Sequence, residues 1–421
     1  MPLVVTVVLS SSISETDYEL VKNEVLTSAT GNQYEVLEFL GKGTYGQVVR
    51  CQQKGTTRNV AIKVLENDPR NSKKRDNEVS IIQQLSVENP AYNFVQAFEF
   101  FEHKQHKCIV FEMLRQSLFD YVVERESHCL PLKHIRPIVQ QLLTALDKLK
   151  TLGLIHADLK PANIMLVDPI RQPFRIKVID FGLSISVSEA AIDSCVQSRF
   201  YRAPEVLLGF PFNEAIDMWS LGCLMAELFL GWPLYPGRSE YDQIRYIVET
   251  QGLPASNVLN SGARTRQFFV PVRTPLLKSH FWRLKSRHEF EAETRIRSCE
   301  NRIYIFDSLR DLAKVNPPMG LELDNTEALA EKADRRQFTD LVERMLSLDP
   351  DTRITPKDAA NHNFMKLKHL DRYDFCRHVR HSVEIMEELS DRAMHFRAAA
   401  QAAAYASMYQ QPIAVATAML N

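Results

Sequence analysis

The stretch HADLKPAN, at residues 156–163, is the most specific motif in this 421-residue chain. It follows an apolar run that is typical of a short strand, and it places Asp158, Lys160 and Asn163 close together. A carboxylate, an ammonium group and an amide in this order can take up a proton, neutralise an anion and bind a hard metal ion. A turn after an apolar strand is the alternative, but the spacing favours a catalytic loop.

Four more strings surround this loop in a defined order. They are GKGTYGQVV beginning at Gly41, AIK ending at Lys63, DFG beginning at Asp180 and RAPE ending at Glu205. Each string is ambiguous alone, but their order and separations are those of the protein kinases. The chain therefore resembles a protein kinase, which implies ATP and Mg²⁺ as cofactors and protein hydroxyls as phosphate acceptors.

The periodicity of the sequence predicts the bilobal α+β fold of that class. We expect a small antiparallel lobe of five strands with one helix near 76–85, followed by a larger, mainly helical lobe. The predicted strands are Tyr34–Leu40, Val48–Cys51, Val60–Val64, Phe94–Phe101 and Cys108–Met113. The predicted helices of the larger lobe include Ile135–Leu152, Ala215–Phe229 and Arg336–Leu346.

The chain is expected to divide into three segments. These are an N-terminal extension at 1–33, a kinase domain at 34–375 and a helical or low-complexity tail at 376–421. Within the domain we expect the small lobe at 34–114 and the large lobe at 115–375, with an irregular insert at about 253–335. Pro271 is one of the prolines expected to break regular structure in that insert.

The composition gives no sign of a membrane or nucleic-acid partner. The formal net charge is −1, and no apolar run approaches the length that spans a bilayer. The seven cysteines form no CxxC pair, which suits a reducing, intracellular compartment. We expect a monomer whose partners are protein substrates.

The glycine string and the following lysine predict a phosphate-binding site. Gly41, Gly43 and Gly46 lie between two predicted strands, where residues without a Cβ let the backbone approach phosphates; a hairpin without a ligand is the alternative. Lys63 is expected to pair with Glu78 and hold the α and β phosphates, although a lone lysine more simply extends to solvent.

The resemblance to protein kinases implies roles for further residues. Asp158 would take the acceptor proton, Lys160 would neutralise the γ-phosphate, and Asn163 and Asp180 would bind Mg²⁺. The residues assigned to ATP are Leu40, Gly41, Lys42, Gly43, Thr44, Tyr45, Gly46, Gln47, Val48, Ala61, Lys63, Phe111, Glu112, Met113, Leu114, Met165 and Ile179. The apolar members would also suit an ordinary core.

Two contacts inside the large lobe are expected to support this site. Glu205 would form a buried ion pair with Arg353, and Asp217 would accept backbone N–H groups of the catalytic loop. His378 and His381, three residues apart, more simply lie on a solvated helix face than bind a metal ion.

Longer strings narrow the resemblance to one family. QSRFYRAPEVLLG at 197–209 and LGLIHADLKPANIMLVDP at 152–169 are similar to the homeodomain-interacting protein kinases, which neighbour the dual-specificity tyrosine-regulated kinases in the CMGC group. The resemblance implies a serine/threonine kinase, with dual-specificity autophosphorylation as an added activity. It also implies a preference for proline after the acceptor, with Arg202 shaping that pocket. The implied substrates are transcription factors or their cofactors. The implied location is the nucleus, with the cytoplasm as the alternative.

Three residues depart from the usual kinase pattern. Ala157 replaces an arginine, as it also does in this family, and Ala162 replaces a glutamate, which predicts weaker selection of arginine upstream of the acceptor. Cys195 stands where the family carries a tyrosine that it phosphorylates on itself, and a thiol cannot accept that modification. The alternative function is therefore a pseudokinase-like scaffold that binds nucleotide. The presence of the lysine, the base and the metal ligands favours catalysis.

Overall fold

The computed structural model describes residues 18, 20–43, 46–88, 90–190, 196–273, 280–316 and 325–391. The chain forms two compact units. The small unit comprises Met1–Ser86 and Gln96–Met113, and the large unit comprises Val87–Val95 and Leu114–Asn421. Among the helices described, none has the length and apolar character needed to cross a membrane.

The small unit contains a six-stranded antiparallel sheet. Its strands are Val25–Thr27, Gln33–Gly43, Gly46–Gln53, Asn59–Leu65, Ala97–His103 and His106–Glu112. The five predicted strands are present with shifted ends, but the first strand was not predicted and corrects the count to six. Three residues are too short for a recognisable alternation, yet this strand buries Leu26 completely at the edge of the sheet.

Alternation along the strand Asn59–Leu65 gives the sheet two different faces. Val60, Ile62 and Val64 point to a buried core that also contains residues of the neighbouring strands. Ala61 and Lys63 point to the opposite face because successive side chains of a strand alternate. The helix Ser72–Ser86 contacts this opposite face through Glu78.

The large unit is mainly helical. Its α-helices are Leu118–Val123, Leu132–Thr151, Pro204–Leu208, Ala215–Leu230, Glu240–Gln251, Ser256–Ser261, Thr265–Phe268, Arg287–Thr294, Asn325–Met345, Pro356–Ala360, Asn363–Lys366 and residues 377–391. Its strands are Gln116–Ser117, Leu154–Ile155, Ile164–Asp168, Gln172–Val178, Ile185–Ser186, Phe269–Arg273 and His280–Leu284.

The helix Ala215–Leu230 forms the centre of the large unit. Nearly all of its residues are buried, as expected for a helix that is apolar on every side. A side chain at Gly222 would collide with Leu346, since a Cβ there would lie 2.8 Å from the Leu346 Cδ2 atom. The missing Cβ therefore lets the segment after Asn325–Met345 pack directly against the central helix.

Two elements of the large unit differ from the sequence prediction. Phe269–Arg273 and His280–Leu284 form an antiparallel hairpin, and Pro271 lies inside it opposite Trp282 rather than breaking it. The hairpin is isolated, so its first strand is an edge strand and tolerates a residue without an N–H group. The helix Asn325–Met345 also begins well before the predicted start at Arg336, because its first part combines alanine with glutamate and lysine, which favour a helix but give a weak apolar pattern.

Candidate active site

The predicted ion pair between Lys63 and Glu78 is present in the small unit. The Lys63 Nζ atom lies 2.5 Å from the Glu78 Oε1 atom, and both side chains are buried. Lys63 is fixed by backbone pairing with Val48 on one side and Ile109 on the other. The pair therefore places a buried ammonium group on the sheet face opposite the core.

Three residues predicted to contact adenine share that face with Lys63. Val48 pairs directly with Lys63, and Ala61 pairs with Phe111 on the next strand. Directly paired residues point to the same face of a sheet, and all three of these apolar side chains are half-buried. Leu40, inside the strand Gln33–Gly43, is 43% exposed. The small unit thus offers apolar surface beside a buried cation.

The glycines of the string lie on two paired antiparallel strands, as predicted for a hairpin. Gly41 pairs with Val48 and Gly43 with Gly46, while Thr44 and Tyr45 lie outside the described residues. A Cβ at Gly41 would meet open space, but one at Gly46 would collide with the carbonyl oxygen of Val64 on the neighbouring strand. Close strand packing is therefore a sufficient reason for glycine at 46, independent of any ligand.

In the large unit, Asp217 holds the predicted catalytic loop through its backbone, the contact expected from the sequence. Its carboxylate accepts the N–H groups of His156 at 2.7 Å and Ala157 at 2.9 Å. Ala157 is fully buried and has a φ of 62°, in the left-handed region that L-residues rarely adopt. Burial raises the pKa of Asp217, and the two N–H groups oppose that rise by favouring the carboxylate.

Four hydrogen bonds surround the side chain of Asp158. Ser198 donates its hydroxyl at 2.6 Å and its N–H at 3.1 Å to Oδ1. Lys160 Nζ lies 2.6 Å from Oδ2, and Asn163 Nδ2 lies 3.0 Å from the same atom. The predicted residues Asp158, Lys160 and Asn163 are therefore brought together. Ser198 was missed, because a serine in QSRFYRAPE carries no spacing signal of its own.

The two predicted metal ligands lie on neighbouring segments of the large unit. The N–H of Ile179, directly before Asp180, donates to the carbonyl of Asn163 at 3.0 Å. The Asn163 Nδ2 group faces Asp158, so its Oδ1 atom turns away from that carboxylate. Asp180 has a φ of 59° and an exposed side chain. An amide oxygen and a carboxylate are the hard oxygen donors that Mg²⁺ prefers, so these residues fit that ion.

Buried polar contacts also hold the segment around Tyr201 and Glu205, which follows the predicted catalytic loop in the sequence. Arg353 forms the predicted pair with Glu205, with Nη1–Oε1 and Nη2–Oε2 distances of 2.6 and 3.0 Å. Tyr201 donates its hydroxyl to Glu227 at 2.6 Å, and burial raises the pKa of Glu227 to about 7. Cys195 lies outside the described residues.

The remaining nucleotide-site predictions are divided between the two units. Glu112 and Met113 are half-buried in the small unit. Leu114 is buried in the large unit, where Met165 and Ile179 are half-buried. The predicted catalytic and metal-binding residues thus form two groups. Lys63 and Glu78 lie together in the small unit, and the residues of the loop and Asp180 lie in the large unit.

A curled sheet with a buried Lys–Glu pair and a helical unit with this loop define a protein kinase domain. A family model described as protein kinase domain matches residues 34–365. Within that class, the chain belongs to the homeodomain-interacting protein kinases.

Three relatives support this family membership. Homeodomain-interacting protein kinase 1 of Mus musculus is 56% identical over 382 residues, which cover 90% of this chain and 31% of the relative. The protein of the same name from Caenorhabditis elegans is 52% identical over 89% of this chain and 45% of the relative. Homeodomain-interacting protein kinase 4 of Homo sapiens is 45% identical over 80% of this chain and 56% of the relative. The chain thus spans between about a third and about half of the length of these relatives.

Proposed function

We propose that this chain is an ATP- and Mg²⁺-dependent serine/threonine protein kinase. The observation that carries the proposal is the environment of Asp158, whose carboxylate is held by Ser198, Lys160 and Asn163 within a loop fixed by buried Asp217. A carboxylate held in one orientation can align a substrate hydroxyl and accept its proton as the bond to phosphorus forms. Lys160, beside it, would neutralise charge on the transferred group.

The small unit is proposed to bind the nucleotide. Lys63, kept in position by Glu78, would contact the α and β phosphates, and Val48, Ala61 and Phe111 would pack against adenine. Asn163 Oδ1 and Asp180 would hold Mg²⁺, and the ion would offset the negative charge of the phosphates. Two protein ligands suit this ion, because Mg²⁺ in such sites keeps water and phosphate oxygens in its remaining positions.

A proline preference after the acceptor is also proposed. Gln197 has a φ of 64°, and its carbonyl accepts hydrogen bonds from Arg202 Nη2 at 2.8 Å and Nε at 3.2 Å. This carbonyl is therefore already engaged and does not serve a substrate N–H group. Proline has no N–H to leave unsatisfied, whereas for other residues an unsatisfied N–H costs about 1–3 kcal/mol.

The substrates and the cellular address are proposed from the family. The relatives are named for interaction with homeodomain proteins. We extend to this chain a preference for transcription factors or their cofactors as substrates, and the nucleus as its main location.

Transfer of labelled γ-phosphate from ATP to a generic protein substrate tests the proposal. Asp158→Asn should lower the rate about 10²–10⁴-fold, since it removes the base while keeping the shape of the side chain. Asp351→Asn is the matched control, because Asp351 is an exposed aspartate outside the loop 156–163, and it should leave the rate unchanged. Acid hydrolysis of the product identifies the phosphorylated residue type.

Two results would contradict the proposal. Equal transfer by the wild type and Asp158→Asn would mean that the loop is not the catalytic site. Nucleotide binding without any transfer by the wild type would instead favour the scaffold function.

A further inference from the structure

A groove of about 700 Å³ lies on the large unit and is built mainly by the stretch from 238 to 296. Its floor is apolar and consists of packed aromatic rings. Tyr241 and Phe290 stack with their ring centroids 4.1 Å apart and their planes 8° from parallel, and Phe268 beside them is buried. Packed and largely buried side chains therefore form the floor of the groove.

Three arginines at the rim of this groove carry uncompensated charge. Arg199, Arg238 and Arg266 line it, are exposed, and form no ion pair within the part of the chain that the structure describes. By contrast, Lys285 in the groove wall is neutralised by Glu293, with an Nζ–Oε2 distance of 2.5 Å. The groove thus combines an apolar floor with an excess of guanidinium groups.

The other carboxylate of the wall does not offset this excess. Glu240 lies 2.7 Å from Arg202 Nη1 and 3.3 Å from Arg264 Nη1, so two further arginines already share its charge. Glu240 also begins the helix Glu240–Gln251, whose N-terminus borders the groove and adds the positive end of a helix dipole.

The groove begins next to the acceptor site. Ser198 donates to Asp158, and the following residue, Arg199, is part of the groove. Arg199 Nη1 donates to the carbonyl of Arg238 at 2.7 Å, which holds the two arginines side by side. On the same side, Arg202 joins the Gln197 carbonyl to the groove wall at Glu240. The groove therefore continues from the subsite proposed for proline.

We infer that this groove binds an anionic side chain of the protein substrate, carried about two to four residues after the acceptor in an extended segment. Phosphoserine or phosphothreonine is the preferred group and glutamate or aspartate the weaker one, because neighbouring guanidinium groups bind phosphate oxygens in a bidentate manner. The inference rests on the proposed kinase function, since it names a substrate class for that site.

Peptide kinetics test the inference. The peptides share one Ser-Pro acceptor and carry serine, glutamate, phosphoserine or lysine at one position from the second to the fourth residue after it. At the best position, we expect kcat/KM to be about tenfold higher for phosphoserine than for serine, intermediate for glutamate and lowest for lysine. The double variant Arg238→Ala/Arg266→Ala should lose this preference while its rate on the serine peptide stays within about twofold of the wild type.

Arg310→Ala is the matched control, because Arg310 is an exposed arginine of the same unit, with 82% of its side chain accessible, outside the groove. It should keep the full preference. A wild type that treats the phosphoserine and serine peptides alike would overturn the inference, as would a double variant that keeps the preference.

Binding separates this inference from the proposed catalysis. Fluorescence anisotropy with a labelled phosphoserine peptide that has alanine at the acceptor needs no phosphoryl transfer. Selective binding that weakens in the double variant and at high salt supports the groove even if no peptide is phosphorylated, a result that would reject only the kinase proposal. Equal affinity for the phosphoserine and serine peptides would reject the groove.

Discussion

The buried pair between Arg353 and Glu205 offers the most direct test of what holds the large unit together. Arg353 donates to both Glu205 oxygens and also to the carbonyls of Ser347 and Ala215, and both charged side chains are buried. Arg353→Met would leave a buried carboxylate without its cation. Removing one partner of such a pair costs about 3–5 kcal/mol, mainly because the charge that remains is buried without compensation.

Removal of both charges should cost less than removal of the arginine alone. In Glu205→Gln/Arg353→Met the buried anion is gone, so we expect about 1–3 kcal/mol to be recovered, with the two carbonyls still lacking donors. The coupling energy of the resulting double-mutant cycle measures the pair itself.

Tryptophan fluorescence during urea unfolding is the suitable assay. The chain has three tryptophans, Trp219, Trp232 and Trp282, and all lie in the large unit. The Arg353 guanidinium carbon lies 5.3 Å from the Trp219 ring centroid, so the signal reports the region that is changed. A loss below about 1 kcal/mol for Arg353→Met, or additive effects of the two substitutions, would refute the reasoning.

Three further predictions concern other parts of the two units. Ser198→Ala should lower kcat about tenfold with little change in the KM for ATP, because Asp158 loses its hydroxyl donor. Ser198→Thr should restore the rate. An unchanged rate for the alanine variant would contradict a positioning role for Ser198. Gly46→Ala should lower the free energy of unfolding of the small unit by about 1–3 kcal/mol, because the added Cβ would collide with the neighbouring strand. Gly41→Ala should leave this free energy nearly unchanged. Equal effects of the two substitutions would argue against the collision. Burial holds the pKa of His134 at about 4, below its usual 6.5, so this residue's contribution to stability is complete above pH 6.5 and lost as the pH falls towards 4. The loss of stability between pH 7 and pH 5 should be smaller in His134→Gln, and an equal loss would contradict this assignment.

Sequence reasoning succeeded where a polar residue has a fixed role inside an apolar element. Lys63 interrupts an apolar strand, and Glu205 and Asp217 interrupt apolar helices, so each needs a buried partner. The resemblance to protein kinases predicted those partners, and the structure contains all three contacts. The resemblance supplied the pairing, and the cost of burying an unpaired charge explains why each pair is buried together.

Contacts between residues that are remote in the sequence were predicted less well where no motif indicates the partner. His378 was expected on a solvated helix face, but its side chain is 17% exposed and its Nε2 atom lies 3.4 Å from Asp334 Oδ2. Asp334 is completely buried and also contacts Arg136 and His369. These four residues come from four separate segments, so no local spacing could reveal the cluster.

The cluster around Asp334 changes how the C-terminal segment should be regarded. Burial opposes ionisation of Asp334, but Arg136 and the two histidines hold its pKa well below the usual range, so it stays an anion. A buried anion needs its donors, and His369 and His378 are two of them. Cys376 and Val379, on either side of His378, add apolar contacts to a core cluster that includes Ala330 and Leu370. The start of the segment predicted as a tail therefore supplies both charge compensation and apolar packing, and its removal would expose a buried carboxylate rather than merely shorten the chain.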